Sequence, residues 1–298
     1  MRNDYRDLLK PEIINSLSGL ALISRVIVDG QVAGLNQSKR VGGGLEFSQY
    51  RGYEPGDDLR LLDWKMLARS GRYYIKQAEI DTHISVKFII DSSKSMLHRE
   101  KDLSKIDFVK VLVASIGYFA WQQGDAVSLF SLNNKKSNSL FASSQKQHFN
   151  RFLSELVELK AEGVWPKDTS EIQKIHDKNH KELIFFITDL YQDQNEISKS
   201  IKQLKTSKNE ITVLHIMGGK ELSFDFEGAV IFEDLESGER IKVNAKEAKD
   251  RYLNAFNQQL SEYKNNFLSN AIGYELFSLD NGLEDSIKVF LNKRIALM

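Results

Sequence analysis

At 298 residues the chain can hold one large domain or two modest ones with ample core. No stretch approaches the ~18 consecutive apolar residues of a membrane-spanning helix. A formal net charge of zero with 41% apolar residues describes an ordinary globular protein, with no overall field to attract nucleic acid or an anionic membrane. The absence of cysteine excludes disulfides, thiolate metal sites and a cysteine nucleophile. With no apolar signal core after Met1, the expectation is a soluble, cytoplasmic protein without membrane insertion.

From the N-terminus, residues 8–27 carry Ile13, Ile14, Leu17, Leu20 and Leu22 near helical spacing and predict a helix. The glycine-rich stretch 30–44 predicts a connector. Gly42-Gly43-Gly44 is no P-loop, because no Gly-Lys-Ser/Thr follows. In residues 44–76, Pro55-Gly56 predicts a turn, and Asp57 or Asp58 a cap for a short helix carrying Leu61, Leu62 and Trp64 inward. Arg51, Arg60, Arg69 and Arg72 stand there among Tyr50, Tyr53 and Trp64. The alternating signs favour ion pairs with Asp57, Asp58 and Asp63, and arginine–aromatic stacking, over a nucleic-acid surface.

Residues 84–90 read as a buried strand that delivers Asp91-x-Ser93-x-Ser95 at its carboxyl end. One carboxylate and two hydroxyls at alternate positions suit a hard divalent cation such as Mg²⁺, which takes oxygen ligands and keeps waters. A polar turn with a helix cap is the plainer alternative. A helix from Asp102 or Ser104 to Gln123, apolar nearly all round, predicts burial on most sides, with Gly124 ending it. A strand over 126–131, a turn at Asn133-Asn134 and an edge strand over 140–142 follow, then a helix through Phe149, Phe152, Leu153 and Leu156. A loop over 162–168 leads into Thr169-Ser170 and a helix through Ile172 and Ile175.

Residues 183–187 form a second buried strand ending in Thr188-Asp189, followed by a helix with Ile197, Ile201 and Leu204 and a strand over 211–216. A hairpin around Ser237-Gly238 comes next. A long helix over 247–270 follows, its Tyr252, Phe256, Leu260, Tyr263 and Phe267 read as core. A strand over 273–279 and a helix over 283–291 close the chain. Apolar strands alternating with helices predict an α/β fold, a doubly wound, mostly parallel sheet covered on both faces. Ligands of such sheets bind beyond the carboxyl ends of the strands, where Asp91, Ser93, Ser95, Asp189 and the Thr169 loop would gather.

These residues resemble the metal-ion-dependent adhesion site (MIDAS) of von Willebrand factor A domains. More specifically, Gly44-Leu-Glu-Phe47, Tyr53-x-Pro-Gly-Asp-Asp-x-Arg60, Asp63-Trp-Lys65 and Ala68-Arg69 resemble the bacterial domain of unknown function 58 family. So do Glu221-Leu-Ser-Phe-Asp-Phe-Glu-Gly228 and Phe232-Glu-Asp-Leu-Glu-Ser-Gly238. The resemblance implies a von Willebrand factor A-like domain over 81–298, with a family-specific segment over 1–80 packing on it. It implies Mg²⁺ or Mn²⁺ bound directly by Ser93 and Ser95, through waters by Asp91 and Asp189, and either way by Thr169. The family's glycine-rich setting is absent around Thr169, so Asp168 or Ser170 are alternatives. It further implies a non-catalytic protein-interaction module whose partner is a MoxR-type AAA+ ATPase.

The rival class is a Mg²⁺-dependent phosphohydrolase-like enzyme using Asp91. That chemistry needs a second Asp two residues on, where this chain has Ser93. Serine hydrolysis lacks its Gly-x-Ser-x-Gly turn, and no His-Glu-x-x-His supports a zinc hydrolase. His98 and His215 read as surface or packing residues.

Overall fold

The computed structural model describes residues 5–38, 50–53, 64–76, 84–168, 175, 181–192, 195–280, 283, 288–290 and 292–293. The chain divides into two compact units, residues 1–33 with 84–298 and residues 34–83. A short 3-10 turn, Tyr5–Leu8, precedes α1 (Pro11–Ile14) and α2 (Leu17–Ser38). The expected helix over 8–27 is therefore broken at Asn15-Ser16. The Ser16 hydroxyl accepts from the Gly19 amide (3.1 Å) and so starts α2 afresh. The helix also runs through Gly30 and Gly34, which had read as connector; isolated glycines weaken a helix by only about 1 kcal/mol each.

In the smaller unit β1 (Tyr50–Gly52) pairs antiparallel with β2 (Tyr74–Lys76), and α3 (Trp64–Ser70) lies between them in sequence. Trp64, expected inward, is 64% exposed at the start of α3. Asp57, Asp58, Asp63, Leu61 and Leu62 lie outside the described residues.

The larger unit is built on a six-stranded sheet. Its strands are β3 (Ser85–Asp91), β6 (Ala126–Leu132), β7 (Ser137–Ser143), β8 (Glu182–Thr188), β9 (Asn209–Met217) and β12 (Gly273–Ser278). A two-residue pair, β4 (Arg99–Glu100) with β5 (Leu103–Ser104), lies between β3 and α4 (Lys105–Gln122) in sequence. The spatial order is β12-β9-β8-β3-β6-β7, parallel except for the antiparallel edge strand β7. The chain winds outward from β3 through β6 and β7, then returns to β8 on the other side. The switch point thus falls between β3 and β8.

Alternation along the strands sorts the core onto two faces. Val86, Phe88 and Ile90 of β3, with Leu183, Phe185 and Ile187 of β8, join residues of α2, α4 and α5 (Lys146–Glu158). Ile89, Ile184 and Phe186 face the opposite cluster. There α6 (Glu196–Gln203) contributes Ile197 and Ile201, and α8 (Ala245–Leu268) contributes Tyr263 and Phe267. Ser104 caps α4 by accepting from the Asp107 amide (3.2 Å), and Gly124 follows it with φ +80°. A Cβ at Gly117 would sit 2.7 Å from the Phe152 ring, so glycine there lets α4 approach α5. The mostly parallel sheet with helices on both faces is the architecture the sequence predicted.

Beyond β9 lie a one-turn α7 (Gly219–Ser223) and an antiparallel hairpin, β10 (Ala229–Glu233) with β11 (Arg240–Asn244). Of the aromatic stripe expected as core on α8, only Tyr263 and Phe267 are fully buried. Tyr252 packs instead on Phe224 (4.6 Å between centroids) and Phe256. The stripe divides because the sheet is shorter than the helix, whose first half covers the hairpin's root. Among the described residues, no helix is long and apolar enough to cross a membrane.

Candidate functional site

The central strands end where the fold switches direction, and each ends in a side chain turned into the same space. Asp91, the last residue of β3, is 0% exposed. Its Oδ1 accepts from the Ser93 amide (3.0 Å) and its Oδ2 from the Thr188 hydroxyl (2.8 Å) at the end of β8. Beyond Asp91 the chain turns into a short 3-10 helix, Lys94–Leu97. The turn brings the Ser93 and Ser95 hydroxyls within 3.0 Å of each other, and Ser95 donates to Asp189 Oδ1 (3.1 Å). Asp91, Ser93, Ser95 and Asp189 therefore meet, as their spacing and strand ends predicted.

The turn is fixed from behind. The Ser92 carbonyl accepts from the Glu162 amide (2.9 Å) and the Asn133 amide group (3.1 Å), and the Lys94 amide donates to Gly163 (2.9 Å). These bonds tie the 162–168 loop to the Asp91 turn. Thr169 and Ser170 lie outside the described residues, whereas Asp168 is described and exposed.

Four further groups at this site were not foreseen. Lys105, the first residue of α4, is buried and donates to Asp189 Oδ2 (3.1 Å) and to Glu221 of α7 (3.0 Å). Burial works to lower the Lys105 pKa, but Asp189 and Glu221 outweigh it and raise the value above its ordinary range. His215 of β9, read as a packing residue, is buried with Nε2 3.0 Å from the Asp189 carbonyl and Nδ1 2.6 Å from the Tyr274 hydroxyl. Burial pushes its pKa down to about 4, which keeps the ring neutral. The fourth is Glu236, in the turn between β10 and β11. Its carboxyl faces the Ser93 hydroxyl and the Ser95 amide, and its Oε1 is buried without a hydrogen bond. Burial, then Asp91 and Asp189, raise its pKa to about 7. Single charged residues in loops read as solvated in a sequence. The one available signal was an acid within the Phe232–Gly238 stretch, which had read as a hairpin turn.

The electrostatics are lopsided. Burial, then the neighbouring Asp189, push Asp91 up to about 7, against the hydrogen bonds from Ser93 and Thr188. Asp91, Asp189 and Glu236 thus crowd together, and among the described residues the ammonium at the site, Lys105, is bound to Asp189 and Glu221. Among the described residues, no three His, Cys, Asp or Glu side chains by themselves form a metal-holding group. The converging donors are instead carboxylates mixed with two hydroxyls, a set suited to a hard divalent cation. The orphaned Glu236 oxygen and the uncompensated Asp91 carboxyl both fit such a charge.

Known proteins are similar to this chain to different extents. "Uncharacterized protein Rv1480" of Mycobacterium tuberculosis and "Uncharacterized protein Mb1516" of Mycobacterium bovis are each 22% identical over 241 residues. The alignments cover 80% of this chain and 74% of the relative. Among solved structures, BatB from Bacteroides thetaiotaomicron is similar at 12% identity and a TM-score of 0.44, over 72% of this chain and 99% of that one. An aerotolerance-related membrane protein from Bacteroides fragilis is similar at 17% and 0.46, over 72% and 99%. The VWA domain of SpRpn10 is similar at 15% and 0.41, over 70% and 95%. The sequence pattern of one family, described as "Protein of unknown function DUF58", matches residues 49–264, more than half of the chain, and the chain belongs to that family.

Proposed function

We propose that this chain is a metal-dependent protein-interaction module that performs no covalent step. The observation that carries this reading is the convergence of Asp91, Ser93, Ser95 and Asp189 at the switch point of the sheet. Ser93 and Ser95 would hold Mg²⁺ or Mn²⁺ directly, and Asp91 and Asp189 through bound water. Thr169, Asp168 or Ser170 would complete the set. The bound ion supplies an electrophilic position for a carboxylate of a partner protein. The chain's own residues prepare that position: Thr188 and the Ser93 amide orient Asp91, and Lys105 holds one Asp189 oxygen while the other faces Ser95.

The complete burial of Asp91, with both oxygens hydrogen-bonded, supports this reading over the phosphohydrolase, whose nucleophile must reach its substrate. Ser93 also stands where that chemistry needs its acid/base Asp. The family resemblance supports a MoxR-type AAA+ ATPase as the partner, with the segment 44–76 presenting a surface for it.

Calorimetry tests the metal. One Mg²⁺ or Mn²⁺ binding event is expected in the wild type and none in Asp91→Ala, which should still melt cooperatively; unchanged binding in the variant sinks the site. Purified protein with Mg²⁺ should release no phosphate from generic phosphoesters above a blank, whereas an Asp91-dependent release would favour the phosphohydrolase. A purified MoxR-type ATPase should be retained on the immobilised protein with Mg²⁺ and released by chelator.

A further inference from the structure

We propose that Glu236 is an internal ligand of this site, a carboxylate carried by the β10–β11 hairpin into the position that a partner's carboxylate takes, so that a partner must displace it. The proposal rests on the metal reading above and adds the regulation of that site.

A glutamate in a hairpin turn is ordinarily solvated. Here one of its oxygens is buried and makes no hydrogen bond, while its carboxyl faces Ser93 and the Ser95 amide, with Asp91 and Asp189 close by. Burying a carboxylate oxygen unpaired beside two others is unfavourable, and nothing within the turn offsets it. A cation shared by these oxygens does. The acid is thus placed where a metal makes its ionised form favourable, which is how an internal ligand differs from a stray surface charge.

The hairpin is built to hold Glu236 there. Asp234 Oδ1 accepts from the Glu236 amide (2.7 Å) and the Ser237 amide (3.0 Å), and the Gly238 amide, at φ +76°, donates to the Asp234 carbonyl (2.8 Å). The other Asp234 oxygen accepts from the Tyr191 hydroxyl, two residues beyond Asp189. The turn is therefore pinned to the segment that carries the second aspartate of the site. Beside the turn, Phe232 packs on Phe226 (5.1 Å between centroids) and Phe224 (5.7 Å).

It is also built to leave. β10 and β11 form a two-stranded sheet of their own, separate from the six-stranded one, with Ile231 66% and Ile241 61% exposed. The turn is tied to the site by the Tyr191–Asp234 hydrogen bond and by Glu236 itself. A partner offering a stronger carboxylate contact competes with these ties rather than with the six-stranded core of the domain.

Mn²⁺ alone serves as the probe, read by water-proton relaxation, which counts exchangeable waters on the bound ion. Wild type, Glu236→Gln and Tyr191→Phe are each titrated with Mn²⁺, with thermal melts to verify folding. In Glu236→Gln the affinity should fall about tenfold, the lower end of the cost of losing a metal-site group, and the relaxivity of the bound ion should rise as water replaces the carboxylate. Tyr191→Phe, which loosens the turn but keeps the acid, should fall between. Acetate should quench the added relaxivity in Glu236→Gln at concentrations that leave the wild type unchanged. Equal affinity and relaxivity in wild type and Glu236→Gln would overturn the internal ligand while leaving the metal site standing. Failure of the wild type to bind Mn²⁺ would overturn both.

Discussion

Two buried charge clusters lie on the same pair of neighbouring strands, one at each end. Near the start of β3 and β8, Lys87 is paired with Glu182 and also donates to the Ile175 carbonyl, so the acid and the base are matched. At the other end Asp91, Asp189 and Glu236 gather around Ser93 and Ser95, and the ammonium of Lys105 is committed to Asp189 and Glu221. Both clusters incur a desolvation cost; the first offsets it with a matched pair, the second in part, through Lys105 on Asp189 and hydrogen bonds on Asp91. Matched buried charge holds two strands in register. Unmatched buried charge at a strand end leaves room for a cation brought from solution.

The contrast can be broken at either end. The largest effect is expected at the matched end. Lys87→Met strips Glu182 of its ammonium and should cost about 3–5 kcal/mol in denaturant melts. A loss below about 1 kcal/mol would mean that the pair does not secure the sheet.

At the unmatched end the sign should reverse. The Asp91 carboxyl, ordinarily near 3.8, is pushed up to about 7, so the folded protein resists ionising it. Its share of stability is complete below about pH 4 and is lost as pH rises through 7. Asp91→Asn removes that loss. Without metal at pH 8, the variant should be more stable than wild type by roughly 1–4 kcal/mol, and the gain should vanish towards pH 4. A destabilised variant at pH 8 would show that the carboxylate is compensated after all.

The smallest effect belongs to the exposed pair between Glu233 and Arg240 (2.7 Å) on the hairpin. Arg240→Ala should shift stability by about 0–1 kcal/mol, because water and salt screen such pairs. A larger loss would mean that the hairpin is held more firmly than an exchangeable strap requires.

The same contrast explains what the sequence made legible. The apolar runs of β3, β8 and β9 read as buried strands, and Ser104 and Gly124 bracket α4 as cap and stop. Strand ends then placed Asp91 and Asp189 together, because a parallel sheet aligns the carboxyl ends of its strands. Lys105, Glu221 and Glu236 escaped notice for a physical reason. They reach the site from a helix start, a one-turn helix and a hairpin turn far along the chain, and their charge alone does not distinguish burial from solvation. The run of α2 through Gly30 and Gly34 was hidden likewise, since local glycine propensity outweighed context in the reading but not in the fold.

The central claim is that the carboxylates at the ends of β3 and β8 await a cation. Denaturant melts of wild type and Asp91→Asn, each with chelator and with Mg²⁺, test it most directly. With Mg²⁺ at a hundred times its Kd, the wild type should gain about 2.7 kcal/mol. Asp91→Asn, although more stable in chelator, should gain nothing. An equal Mg²⁺ response in both proteins, or none in the wild type, would contradict the account.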